Sequence, residues 1–373
     1  MTSRRTLLAG LAALTVPLPA RAAEPSVLAT ALAGTATPGM AAMVIRDFRA
    51  EPEQVAGVRR LGDAKAAARG ARWHLGSNGK AMTATLVARL VEREALAWDR
   101  PLEKMLPALA AGMRPEYRAV TLPDLLSHHA SLPENHDDTA YFNTFFTDRA
   151  SMTAQRLRYI GTALGDAPIG PVRGEPSYSN TGLLIAAACA EQATGQAFES
   201  LIAKEVFRPL GIKSFSFDQH GGRAEPCGHV EGRAADRPFD ANPKMFAPAG
   251  AMRMSLGDWS RFCIDQMQGE HGRGRLLKAE GYRFLHAPQG SGGARGWALG
   301  WGAADRAAGR KGPALTHSGS DGNWYALVIL FPQTGNGVLV AANAADSMGG
   351  DKASLAALRA LAATVAEPAP PAA

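Results

Sequence analysis

Cysteine is scarce: Cys189, Cys227 and Cys263 are the three in a chain of 373 residues. An odd count excludes a fully paired disulfide framework, and no Cys-x-x-Cys pair exists to hold a metal or a redox couple. Cys189 sits in the apolar stretch 183–190 and reads as core filler. A Cys227–Cys263 bridge is open to the chain in an oxidising compartment, but nothing in the sequence requires it and none is predicted. Long apolar runs are also missing. After residue 22 no stretch reaches about 18 uninterrupted apolar residues, so a soluble protein without a membrane span is expected. Charge of one sign is weak. The formal net charge is +6, three of those charges (Arg4, Arg5, Arg21) lie in the first 22 residues, and no basic stripe with interleaved aromatics appears. That excludes a nucleic-acid surface as the main business of the chain.

What the chain has is a hydrophobic content of 46%, enough to bury a large core in one big domain or two lobes. No internal repeat or long linker interrupts it. The N-terminus reads as an export signal: the twin Arg4-Arg5, an apolar run over 7–18, and Ala20-Arg21-Ala22 as a small-x-small site cut before Ala23. Residues 1–22 are therefore expected to be removed. Residues 23–366 are expected to form the working domain, and the Pro- and Ala-rich 367–373 a disordered tail.

Three tracts carry chemistry. Ser77-Asn78-Gly79-Lys80 follows an extended segment ending at Trp73-His74-Leu75-Gly76 and opens an apolar helical run over 81–91. A hydroxyl three residues before an amine on one helix lies on the same face, about one turn away. That spacing lets an amine handle the proton of a serine that must become a nucleophile. The tetrapeptide alone is weak, because helical surfaces produce it by chance. The other two tracts, Tyr178-Ser179-Asn180 and His317-Ser318-Gly319, strengthen it.

Strands are predicted over 40–46 and 54–61, helices from Ser77 to about 94, from Thr121, over 142–164, 180–192, 198–207 and from Ser255 to 267. The last third changes character. Residues 297–302 are extended and Gly-rich; 314–318, 323–331 and 337–342 read as successive strands, and 352–366 as a final helix. Strands at both ends with helices between them predict an α+β fold: one antiparallel sheet built from both chain ends and covered by helices, beside an inserted, mainly helical lobe at roughly 96–250.

In this order and at these separations the tracts resemble the serine β-lactamase and penicillin-binding-protein superfamily, in the branch of class C β-lactamases, D-alanyl-D-alanine carboxypeptidases and related esterases. Stretches 73–84, 121–128, 248–252, 298–301 and 338–343 extend the resemblance over nearly all of 23–366. It implies a β-lactamase/transpeptidase-like fold and an exported serine hydrolase that forms an acyl-enzyme on Ser77. Lys80 is the implied proton partner and Tyr178 the residue that handles the leaving-group proton. Asn180, His317, Ser318 and Gly319 are the implied substrate-binding positions, with the N–H groups of Ser77 and Ser320 as the oxyanion hole. A Lys80 cation is expected to favour the Tyr178 phenolate and burial to lower the lysine's own pKa, so that the two titrate as a coupled pair. Histidine at 317, where β-lactamases carry lysine, points toward a peptidase or esterase. Gly79 is expected to loosen the first helical turn.

No cofactor is implied. His128, His129, His136, Asp137 and Asp138 match no zinc spacing, so no metal site is predicted. Trp297 and Trp301 read as packing residues and Asp321-Gly322 as a turn. The expected partner is a small molecule or peptide (a D-peptide, a β-lactam or an ester), with no nucleic acid and, once the signal is cut, no membrane. Oligomeric state is not specified by the chain. A second reading is a sensor acylated at Ser77 that releases its ligand very slowly.

Overall fold

The computed structural model describes residues 26–365 apart from 220, 223, 237–238 and 291–294. The predicted signal, 1–22, and the predicted tail, 367–373, lie outside the described residues. An antiparallel sheet of eight strands is assembled from both ends of the chain. β1 (Gly39–Arg46), β2 (Arg49–Ala50) and β3 (Gln54–Gly57) come first. The short β4 (Arg72–His74) pairs away from the sheet, and β5 (His229–Val230) with β6 (Arg233–Ala234) makes a small ribbon. β7 (Arg253–Ser255) is the partner of β4. β8 (Arg295–Ala298), β9 (Trp301–Ala307), β10 (Arg310–Ser320), β11 (Tyr325–Phe331) and β12 (Asn336–Ala342) complete the sheet in the order β2-β1-β12-β11-β10-β9-β8, with β3 also on β1.

The apolar runs of β1, β11 and β12 follow from burial on both faces. Alternate residues of a strand point opposite ways. Ala41, Met43 and Ile45 of β1 enter the large core, while Met40, Ala42 and Val44 enter a second, smaller one. The smaller core is closed by α1 (Val27–Ala33) and α12 (Gly350–Ala362), which lie against each other on that face. The large core is filled from the other side by α2 (Gly79–Glu92) and by the helices strung between the two halves of the sheet. These are α3 (Leu102–Met105), α4 (Pro115–Arg118), α5 (Leu122–Leu126), α6 (Thr139–Thr144), α7 (Met152–Ala163), α8 (Asn180–Thr194), α9 (Phe198–Ile202), α10 (Leu256–Glu270) and α11 (Ala279–His286). No helix among the described residues is long and apolar enough to cross a membrane.

The expected antiparallel α+β architecture is present, and several elements differ in detail. The single helix predicted over 142–164 is two, α6 and α7. The chain breaks at Asp148, which accepts the Ala150 N–H, and restarts at Ser151, whose Oγ accepts the Ala154 N–H at 3.2 Å. β1 and β2 join through a two-residue turn at Asp47-Phe48, both left-handed (φ 49° and 61°), where no hairpin signal stands in the sequence. α11 and β9 beyond Gly302 were not predicted. The last helix ends at Ala362 rather than 366. All three cysteines are free, so Cys227 and Cys263 do not pair.

The helical region is pinned by one buried cation. Arg156 of α7 is fully buried and reaches Glu191 of α8 at 2.6 Å, Glu199 of α9 at 2.9 Å and the Met245 carbonyl at 3.0 Å. Replacing one partner of such a network strands the others without counter-charge. Arg156→Met is therefore expected to cost about 3–5 kcal/mol, read as a lowered urea midpoint. A change under about 1 kcal/mol would mean that the cluster does not hold the helices together.

Candidate active site

Ser77 stands between an extended strand and a helix. β4 ends at His74, a single 3-10 turn spans Gly76–Asn78, and α2 begins at Gly79. The turn is strapped from below by Asn78, whose Nδ2 donates to the Leu75 carbonyl at 2.7 Å and to the Ala326 carbonyl of β11 at 3.3 Å. Two glycines let it touch the end of β10. A Cβ on Gly76, which has φ 51°, would lie 2.8 Å from the Ser320 nitrogen; one on Gly319 would lie 2.2 Å from the Leu75 oxygen and 2.7 Å from the Ser77 nitrogen. Only hydrogen fits at either position. The contact sets the amides of Ser77 and Ser320 beside each other, where two fixed donors can face one oxygen.

Lys80, one turn along α2, is completely buried. Its Nζ lies 2.6 Å from Asn180 Oδ1, 2.6 Å from the Ala249 carbonyl and 2.9 Å from Ser77 Oγ. Burial drives the amine well below its ordinary pKa, with the Glu134 carboxylate acting weakly in the other direction. A neutral amine has two hydrogens and one lone pair. Asn180 Oδ1 and Ala249 O can only accept, so they take the two hydrogens and the lone pair is left for Ser77. Gly79 does not loosen Lys80, because these contacts fix the side chain from three directions.

Tyr178 comes from the segment before α8. Its OH donates to Ser77 Oγ at 2.7 Å, and its ring lies 4.9 Å from Lys80 Nζ. Burial, first among the causes, pushes the phenol above its ordinary range. The expected phenolate is therefore corrected. A neutral lysine supplies no cation to stabilise it, and desolvation outweighs the bond from Ser77. The resulting chain runs Tyr178 O–H to Ser77 O–H to Lys80 N. Asn180 is the first residue of α8. Its amide nitrogen also donates to Asn135 Oδ1 at 3.1 Å, which orients the oxygen toward Lys80. Ser179 caps the helix, its Oγ accepting the Gly182 N–H at 3.2 Å and donating to the Pro133 carbonyl.

On β10 the side chains divide by face. His317 points to the site, with its ring 5.8 Å from Trp297, which in turn lies 5.4 Å from Tyr178. Its Nδ1–H donates to the Ser318 carbonyl at 2.7 Å. Burial, first among the causes, holds its pKa down to about 3, so it is a neutral wall rather than a proton carrier. The Ser318 side chain is not brought to Ser77. One residue on, it faces the opposite side of the sheet and lines an apolar groove with Leu327, Leu355 and Arg359. Gly319 contributes its missing side chain, and Ser320 its amide.

A cleft of 610 Å³ opens beside these groups, lined by Glu134, Asn135, Asp137, Phe142, Asn180 and Ser320 among others. The histidines that suggested a metal serve separate neighbours. His128 packs on Tyr178 at 4.6 Å and accepts the Ser179 N–H, His129 pairs with Ser127, and His136 with Asp166. No metal-binding group of three or more such side chains occurs among the described residues. Sequence reasoning missed Asn78, Asn135, His128 and the Ala249 carbonyl as parts of the site. Of these, Asn78, His128 and Ala249 stood inside stretches carried by the resemblance.

The family model described as Beta-lactamase matches residues 26–363. The chain is 27% identical over 303 residues to penicillin-binding protein 4 of Amycolatopsis lactamdurans, covering 78% of this chain and 76% of that protein. It is 26% identical over 138 residues to the D-alanyl-D-alanine-carboxypeptidase/endopeptidase AmpH of Escherichia coli (strain K12), covering 37% of this chain and 34% of that one. In fold it is similar to the octameric penicillin-binding protein homologue from Pyrococcus abyssi, with a TM-score of 0.74, 19% identity, and coverage of 90% of this chain and 76% of that chain. The D-stereospecific amidohydrolase from Streptomyces sp. superposes with a TM-score of 0.71 at 21% identity, over 88% of this chain and 96% of that chain. With a family match running through every element of the sheet and every residue of the Ser77 cluster, the chain belongs to the beta-lactamase family of serine hydrolases.

Proposed function

We propose that this protein is an exported hydrolase that cleaves an amide or ester bond through an acyl-enzyme on Ser77. The observation that carries the reading is the convergence of three groups distant in the chain: Lys80 Nζ at 2.9 Å and Tyr178 OH at 2.7 Å from Ser77 Oγ. Neutral Lys80 takes the Ser77 proton as the oxygen attacks the carbonyl carbon. The oxyanion settles between the N–H groups of Ser77 and Ser320. Tyr178 gives its proton to the departing group, and the proton that Lys80 took from Ser77 replaces it, which leaves Lys80 neutral again. Water then repeats the sequence on the acyl-enzyme. Asn180 holds Lys80, and His317 with Gly319 lines the approach. Export rests on the Arg4-Arg5 start, the apolar run and the Ala20-Arg21-Ala22 site.

The cleft narrows the substrate. Among its described lining residues are the carboxylates of Glu134 and Asp137 and no arginine or lysine. A terminal carboxylate on the substrate meets no counter-charge there, whereas an ester or an uncharged amide meets no penalty. We therefore favour an esterase- or amidase-like activity over a carboxypeptidase, with β-lactam hydrolysis weak. In a panel of p-nitrophenyl acetate, a D-alanine p-nitroanilide, nitrocefin and a peptide ending in D-Ala-D-Ala, the first two are expected to give the highest kcat/KM. Preference for the free-carboxylate peptide would contradict this.

Ser77→Ala and Lys80→Met should each lower kcat/KM for p-nitrophenyl acetate on the order of 10³-fold or more. Undiminished activity in either refutes the assignment. Because Lys80 must be neutral to act and becomes so as pH rises, kcat should climb with pH on the acid side, through a pKa well below that of an ordinary lysine. Gly319→Ala forces a Cβ to within 2.7 Å of the Ser77 nitrogen. A displaced oxyanion donor typically costs about 10²–10³-fold in kcat, and a loss of that size with unchanged circular dichroism is expected.

A further inference from the structure

His128 lies two residues past the end of α5 and is buried, with a left-handed backbone at φ 66°. Residues that carry a side chain seldom adopt that conformation, and it persists only where the surroundings enforce it. Here hydrogen bonds on both sides do so. The His128 carbonyl accepts the Ser177 N–H at 2.8 Å, and its Nδ1 accepts the Ser179 N–H at 3.1 Å. These two donors are the chain neighbours of Tyr178, so one residue grips the backbone before and after the phenol. Its ring also lies against the Tyr178 ring, with centroids 4.6 Å apart and planes at 38°, and stands edge-on to Trp297 at 4.6 Å and 81°. Burial drives the imidazole well below its usual pKa, so Nδ1 keeps its lone pair for the Ser179 amide. Nε2 then carries the hydrogen and has no hydrogen-bond partner among the described residues. The ring therefore bonds to no member of the Tyr178–Ser77–Lys80 chain. It holds the phenol and carries no proton.

We propose that His128 is a positioning residue for Tyr178 as the acid of the reaction, and that the enzyme depends on it more as the leaving group needs a proton more. This rests on the acyl-enzyme reading above. In the resting site Ser77 Oγ also aims the phenol, at 2.7 Å. That aim is lost during the reaction. The Ser77 proton passes to Lys80 while Oγ bonds to the carbonyl carbon. The bond from that carbon to the leaving atom then breaks, and its electron pair stays on the leaving atom. The Tyr178 proton joins that pair, and the proton held by Lys80 replaces it on the phenol. At this step the phenol must address the leaving atom instead of Ser77. What still fixes it is the grip on residues 177 and 179 and the ring faces of His128 and Trp297.

The surrounding chain keeps His128 in place. Just before it, the Leu126 carbonyl accepts the Gly300 N–H at 2.9 Å, which ties the end of α5 to the turn between β8 and β9. Beyond it, residues 128–134 run beside 177–180. Ser179 Oγ donates to the Pro133 carbonyl at 2.7 Å, and the Asn180 N–H to the Glu134 carbonyl at 2.9 Å. Trp297 of β8 lies 5.4 Å from the Tyr178 ring and closes the third side of the aromatic group. A histidine that only filled space here would affect every substrate alike when removed. A histidine that aims an acid affects substrates in proportion to their need for that acid, and this difference can be measured.

The test compares kcat/KM, which reports acylation, for full-length wild type, His128→Gly, His128→Asn, Tyr178→Phe, the double variant Tyr178→Phe with His128→Gly, and Ser77→Ala. p-Nitrophenyl acetate releases a stable anion that needs little help from an acid. Ethyl acetate and D-alanine p-nitroanilide release groups that must be protonated. Glycine accepts the left-handed backbone and removes the ring; asparagine accepts it and returns an oxygen as acceptor for the Ser179 N–H. His128→Gly should lose about tenfold more on the ethyl ester and the anilide than on the nitrophenyl ester, as a misplaced acid does. His128→Asn should recover part of that difference. Tyr178→Phe should show the same selectivity, larger, and adding His128→Gly to it should cost those two substrates little more. An equal loss on all three substrates in a His128 variant with wild-type circular dichroism overturns the proposal. So does an asparagine variant no better than glycine, or a further selective loss in the double variant. If the glycine variant does not fold, the asparagine variant decides alone: it lacks the ring, so a selective loss supports the proposal and an equal loss overturns it. If Tyr178→Phe is selective and the His128 variants are not, only this inference fails. If Tyr178→Phe is not selective, if Ser77→Ala stays active, or if wild type turns over neither demanding substrate, the acyl-enzyme reading itself fails.

Discussion

The site depends on a lysine that the fold does not allow to stay charged. Lys80 has no exposed surface, and the neighbours within reach are an amide oxygen, a carbonyl and an alcohol, with no carboxylate in contact. An ammonium there keeps hydrogen bonds but has no paired charge, so burial favours the free amine. Once neutral, the amine has one direction left for its lone pair, and Ser77 occupies it. The protonation states of Tyr178 and His317 follow. Neither sits beside a lasting positive charge, and both are buried, so both remain uncharged.

The rest of the architecture serves that arrangement. Lys80 needs α2 held against the loop that presents the Ala249 carbonyl and against the first residue of α8, which carries Asn180. The Ser77 turn needs β10 close enough that the Ser320 amide can stand beside its own. The first demand is met by packing in the large core and by the Arg156 cluster behind α8. The second is met by back-to-back glycines, Gly76 and Gly319, which bring two backbones into contact where any side chain would separate them. The sheet supports both, because β11 and β12, beside β10, are buried on two faces and cannot shift without opening one core or the other.

Much of this was legible in the chain. The double-sided burial of β1, β11 and β12 is written in their unbroken apolar runs. The start of α5 is written in Thr121 and Asp124, and the end of α8 in Gly195, which adopts φ 66°. What could not be read was set by distant neighbours. The Asp47-Phe48 turn carries no glycine or asparagine. Its left-handed Phe48 is held by the Gly335 carbonyl at 2.8 Å, the His271 ring edge and the Arg273 guanidinium, none of them near in sequence. The charge state of Tyr178 was misjudged for the same reason: spacing places a lysine beside a tyrosine, and only burial decides which of them gives up its charge. Ser318 was assigned to the site through the motif that contains it, although strand alternation turns its side chain away from the face that His317 shares with Ser77.

The central claim is that Lys80 is an uncharged amine in the resting protein. It can be read directly by following the Lys80 side-chain resonances in protein labelled with 13C and 15N at lysine, over a pH titration with Lys80→Met for assignment. The account predicts that Lys80 titrates far below its fellow lysines and is neutral at the pH where the protein turns over substrate. A Lys80 signal that titrates with the others, near the ordinary lysine value of about 10.4, would contradict it.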